Sequence, residues 1–159
     1  TVGGAFGSSS SNFVWQNVTA DGTLQAFFDE NLATNGTPEW WLAANGFTNR
    51  SWDTEALDDQ DGDGMTTWKE YVAGTSPKNY PDCLRIETIW RAGNTAAVIW
   101  NTVSGRYYKV ASATNVFDSW SNVSNPNYTN LPGSGSSLIY TNTEPDSVSR
   151  LFRIGVRKP

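Results

Sequence analysis

The stretch "AAVIWNTVSGRYYKVAS", residues 96–112, decides the fold class. Two runs in it alternate with period two, and "VSG" between them interrupts the pattern with a turn residue. Side chains on a strand point to opposite faces in turn, so Val98 and Trp100 share one face, and Tyr108 and Val110 share one face. Similar runs lie on either side: "LRIETIW" (84–90), "SSLIYT" (136–141) and "RLFRIGV" (150–156). "RAGN" and a long Asn/Ser/Pro/Gly segment over 121–137 part them. Short strands with turn signals between them predict a small antiparallel β-sandwich over residues 83–159. Its core is expected from Val98, Trp100, Tyr108, Val110, Trp120, Phe152, Ile154 and Val156. The opposite neighbours Tyr107, Lys109, Arg153 and Arg157 are expected to face outward. Cys83 reads as a small apolar residue entering the first strand.

Upstream the period changes. "TTWKEYVAG" (66–74) places Trp68, Tyr71 and Val72 at i, i+3 and i+4, one face of a helix closed by Gly74. "SWDTEALDD" (51–59) is a second helical signal. "NGTPEWWLAANGF" (35–47) is a third, with Thr37 as the expected N-cap, Pro38 in the first helical position and Gly46 as the left-handed residue that folds Phe47 back onto Leu42. Trp40 and Trp41 lie about 100° apart on that helix, so at least one is expected to be partly exposed. "FVWQNV" and "TLQAFF", joined by "TADG", predict a β-hairpin. The chain therefore reads as mainly β with a small helical insert. Residues 1–35 form a hairpin remnant of a preceding β-repeat, 36–80 a helical unit, and 83–159 the sandwich, with "TSPKNYPD" (75–82) as linker.

Between the last two helical signals stands "DQDGDGMTTWKE", residues 59–70. Three aspartates two apart repel one another unless a cation lies among them. The stretch fits the calcium-loop pattern D-x-[DN]-x-[DN]-G-x5-E at every specified position. Calcium takes six to eight oxygens, and alternating Asp side chains converge when such a loop curls. The expected ligands are the carboxylates of Asp59, Asp61 and Asp63, the Met65 carbonyl, Thr67 through its hydroxyl or a water, and Glu70 with two oxygens. Gly64 permits the sharp turn.

Charge and composition narrow the function classes. Residues 1–82 hold twelve Asp/Glu against three Lys/Arg, and residues 83–159 hold four against eight, so a net of −5 joins a −9 part to a +4 part. An acidic total argues against nucleic-acid binding, and no apolar run is long enough for a membrane span. With no histidine and a single cysteine, Ser-His-Asp and Cys-His catalysis, His-bearing zinc sites and internal disulfides are excluded. In the sandwich only Glu87, Asp118, Glu144 and Asp146 are acidic, and nothing marks a pair of them as facing across a cleft. A non-catalytic chain is expected. The abundance of Trp, Tyr, Asn, Ser and Thr resembles secreted β-rich modules, and the start at Thr1 reads as a segment of a longer protein.

Residues 53–77 resemble the single EF-hand-like calcium loops of bacterial extracellular proteins, akin to thrombospondin type 3-like repeats and dockerin halves. Together with "FVWQNVTADGTLQAFF" before it and "VSGRYYKVASATNVFDSW…RLFRIGV" after it, the loop resembles the C-terminal accessory region of large secreted proteins of the Planctomycetes–Verrucomicrobia group. That resemblance implies an Ig- or fibronectin type III-like sandwich, a calcium ion with a structural role, a catalytic domain of the parent protein in cis, and a secreted or cell-surface location. Flat sugar faces stack on exposed aromatic rings. Trp15, Trp41, Trp90, Tyr107 and Tyr128 are the ring candidates for a polysaccharide, and Lys109, Arg153 and Arg157 beside Tyr107 suit an acidic or sulfated one. The alternative is a structural spacer or C-terminal sorting tail with no glycan ligand.

Overall fold

The structure is a computed structural model that describes residues 29–123, 128–143 and 150–159. The expected N-terminal hairpin, Trp15, Glu144 and Asp146 lie outside these residues. The chain divides into two compact units, Thr1–Glu30 and Asn31–Pro159. The second holds three short helices followed by strands, mainly β with a small helical insert.

The described strands form two antiparallel sheets. The first has the order β1 (Ile86–Ala92), β2 (Thr95–Trp100), β6 (Leu138–Thr143). In the second, β7 (Leu151–Arg157) pairs with β3 (Tyr107–Ala113) along its whole length. The two-residue strands β4 (Ser121–Asn122) and β5 (Leu131–Pro132) pair with successive parts of β3, at Ala111–Ser112 and Tyr107–Tyr108. A strand has two edges and β7 takes one, so β4 and β5 share the other. "VSG" is therefore no hairpin turn. It arches from one sheet to the other, with the Val103 amide donating to the Tyr108 hydroxyl at 2.8 Å and Gly133 donating to the Arg106 carbonyl at 2.7 Å.

Alternation places the core between the sheets. Val98, Trp100, Tyr108 and Val110 are all at most 1% exposed, joined by Val123 and Tyr140, with Phe152, Ile154 and Val156 packed against them half-buried. Full burial of one such aliphatic or aromatic side chain contributes roughly 1.5–3 kcal/mol. Trp120 departs from expectation. It is half-buried outside this core, and the Arg153 guanidinium lies 4.9 Å from its ring centroid. Beside the two-residue β4, Trp120 sits where the ladder is ending, and a cation covers the ring.

The helices are α1 (Glu39–Ala44), α2 (Trp52–Leu57) and α3 (Thr67–Ala73). Gly46 adopts φ +75°, and the Phe47 and Gly46 amides donate back to the Leu42 and Ala43 carbonyls, closing α1 as a Schellman motif. Leu42 and Phe47 then meet Ala33 and Ala56 in a small second core flanked by Trp41, Trp52 and Trp68. At the other end Pro38, not Thr37, is the N-cap. Thr37 is buried, and its amide and hydroxyl both donate to Asn35 Oδ1, so the side chain is committed to the preceding turn. On α3 the fully buried residues are Thr67, Glu70 and Ala73. Trp68, Tyr71 and Val72 are only half-buried, which puts a carboxylate where an apolar stripe was expected.

Candidate metal centre

The loop between α2 and α3 is built from both ends. Ser51 caps α2, accepting the Thr54 amide, and Arg50 pairs with Glu55 at 2.9 Å and with Asp58 at 2.5 Å where the helix ends. The guanidinium holds the Asp58 carboxyl below its ordinary range. The Asp58 carbonyl accepts the Thr67 amide at 2.8 Å and the Thr67 hydroxyl at 3.0 Å, which closes the neck of the loop.

Within the neck the backbone curls around its own acids. Asp59 accepts the amides of Gly62 and Gly64, both at 2.9 Å; Asp61 accepts that of Asp63 at 3.2 Å, and Asp63 that of Met65 at 2.7 Å. Gly64 takes φ +95°, a left-handed conformation that costs a non-glycine residue about 1–2 kcal/mol. As a result Asp59, Asp61 and Asp63 each bring a carboxylate oxygen within 4.8 Å of the others.

Glu70, on α3, lies outside this trio but within reach of its charges. It is 0% exposed, and neither of its carboxylate oxygens accepts a hydrogen bond from a described residue; the same is true of the Oδ2 atoms of Asp61 and Asp63. Burial foremost, then the charges of Asp63, Asp61, Asp59 and Asp82, pushes the Glu70 carboxyl up to about 8. A buried carboxylate without donors is unfavourable by several kcal/mol unless it takes up a proton or an opposite charge compensates it. The convergent oxygens therefore fit a cation. The donor set is all oxygen, which suits a hard divalent ion. Burial foremost pushes the nearby Cys83 thiol up, against the opposing pull of its Arg85 contact. Thr67 is fully buried with its hydroxyl proton directed at Asp58, and Met65 is half-buried with its amide on Asp63.

Sequence reasoning missed Asp82. Read as linker, it acts on Glu70 through its charge and is held by the Ser76 amide at 3.0 Å. Cys83 next to it is tied to the end of β2, its carbonyl accepting from Asn101 Nδ2 at 2.7 Å. No spacing rule relates residue 82 to a loop that ends at residue 70, so nothing local signalled this.

Of the ligand candidates on the sandwich, Tyr107, Lys109 and Arg157 line one cavity of about 320 Å³, while Trp90, Tyr128 and Arg153 do not line it. Arg157 lies 4.7 Å from the Tyr107 ring centroid, its direct partner across β3 and β7. Lys109 and Arg153 are exposed, the latter at Trp120. Tyr128 packs edge-on against Tyr140 at 4.7 Å and so belongs to the margin of the core. Trp41 packs against Tyr71 at 5.1 Å. Trp90 is 43% exposed and lines a cavity of about 590 Å³ with Ile89, Asn94, Trp120, Asn142 and Leu151. Among the described residues no helix is long and apolar enough to cross a membrane. Comparison with protein-family models, curated proteins and solved structures gave no significant match.

Proposed function

We propose that this chain is a non-catalytic, calcium-stabilised accessory module of a secreted multidomain protein. One observation carries the reading: among the described residues Glu70 is buried without a hydrogen-bond donor, and the charges of Asp63, Asp61 and Asp59 act on it. Asp59, Asp61, Asp63 and Glu70 would hold the ion, with the Met65 carbonyl and Thr67 completing the shell. Calcium fits better than magnesium because a loop rich in carboxylates, with a bidentate Glu at its end, supplies many oxygens at adaptable distances. Its role is structural: it neutralises the converging carboxylates and pins α2 to α3.

Extracellular modules of this kind bind calcium at around 10⁻⁴–10⁻³ M. At 10 mM calcium such a site adds about 1.4–2.7 kcal/mol, a rise in melting temperature of roughly 3–10 °C. Thermal unfolding of the full chain in calcium and in chelator measures this. An unchanged midpoint overturns the reading, and Asp61→Ala is expected to abolish the difference.

The surface function we assign is polysaccharide binding through Trp90, whose ring lines the cavity beside two asparagine amides and so offers the stacking and hydrogen bonding that sugars use. A spacer or sorting role is favoured by the rings that are already covered, Tyr107 by Arg157, Trp120 by Arg153 and Tyr128 by the core. Affinity electrophoresis in neutral and in acidic or sulfated polysaccharide gels separates the two. Retardation lost in Trp90→Ala supports binding, and no retardation in any gel leaves the spacer.

A further inference from the structure

Arg106 stands in the arch between β2 and β3, yet its guanidinium reaches the helical segment. Nε donates to the Val72 carbonyl at 2.7 Å and Nη2 to the Tyr71 carbonyl at 3.1 Å, both in the last turn of α3. Among the described residues Arg106 pairs with no carboxylate and is directed at helix carbonyls. Those carbonyls carry the negative end of the helix dipole, where a cation is favourable. The approach is close. Gly74, which ends α3 at φ +80°, would place a Cβ 3.1 Å from Arg106 Nε and 3.1 Å from Val103 Cγ1. Tyr71 is held a second time, by Lys158 beyond β7, which hydrogen-bonds its hydroxyl and lies 3.9 Å from its ring centroid.

Tyr71 directly follows Glu70, and α3 has seven residues, so a grip on its last turn fixes the helix that carries the buried carboxylate. We propose that Arg106 is a positioning residue for the cation site: it holds α3 so that Glu70 meets Asp59, Asp61 and Asp63. By reciprocity an ion bound there tightens the β2–β3 arch of the sandwich. The inference rests on the cation reading given above.

Calcium titration calorimetry on the full chain, wild type against Arg106→Met and Arg106→Lys, tests it. Arg106→Met is expected to weaken calcium binding about tenfold and to shrink the calcium-induced rise in melting temperature; Arg106→Lys, which keeps a cation, recovers part of both. A purely structural arginine would lower the melting temperature equally with and without calcium and leave the affinity alone. Affinity in Arg106→Met within twofold of wild type overturns the proposal while the cation reading stands. A wild type that binds no calcium overturns both. Should Arg106→Met not fold, hydrogen exchange on the wild type decides: calcium is expected to slow amide exchange over residues 103–108, and unchanged exchange there overturns the coupling.

Discussion

Tyr108 is 1% exposed, and its hydroxyl accepts the Val103 amide, so one side chain both fills the core and ties down the arch beside it. Burial holds its phenol above the ordinary value of about 10, the charged form being disfavoured away from water. The unfolded chain then loses this proton first as pH rises. The stability linked to Tyr108 is whole below pH about 10 and is lost as pH climbs from there through the folded pKa. Tyr108→Phe leaves the Val103 amide without its acceptor and is expected to cost about 1–2 kcal/mol at pH 7. Its stability should also fall less steeply than wild type above pH 10, which urea denaturation at several pH values measures. The burial of Tyr108 was legible from alternation. The hydrogen bond was not, because it depends on how the intervening arch bends.

Element ends follow local chemistry only where no neighbour competes. Gly46 reads correctly because only a residue without Cβ enters the left-handed region at little cost, and the returning Phe47 amide and ring find Leu42 in the same chain segment. Gly46→Ala is expected to cost about 1 kcal/mol in chemical denaturation, with Gly46→Asn losing less. Thr37 reads wrongly because Asn35, two residues away, takes its amide and hydroxyl. The face of α3 misleads for a related reason. Apolar spacing favours Trp68, Tyr71 and Val72, whereas the loop draws Glu70 inward. The strands β4 and β5 carry no signal of their own, being two residues each and formed by pairing with β3.

At the scale of the molecule, the helices and both sheets lie within one compact unit, Asn31–Pro159, and Arg106 and Lys158 join α3 to the strand-bearing part by hydrogen bonds. Such a unit unfolds cooperatively when no part of it is stable alone. The far-UV signal of the helices and the near-UV signal of the buried Trp100 are expected to share one midpoint in thermal unfolding of the full chain. Calcium is expected to shift both together. Separate midpoints would show that the helical segment and the sandwich melt independently.

Period-two alternation determined the five longer sandwich strands and the inward set Val98, Trp100, Tyr108 and Val110, and the spacing of Asp59, Asp61, Asp63, Gly64 and Glu70 determined the candidate ligands. Both are short-range properties, since a backbone's pleat or curl aims side chains a few residues apart whatever else surrounds them. Only the tertiary structure decided which strands share a sheet, that β2 and β3 are parted by an arch, that the charge of Asp82 bears on Glu70, and that Arg157 and Arg153 cover Tyr107 and Trp120. It also decided that an arginine from the sandwich caps the helix bearing Glu70. These pairings join residues tens of positions apart. They are set by which packed arrangement buries the most apolar surface with its polar groups satisfied, and no pattern within a few residues of chain encodes that choice.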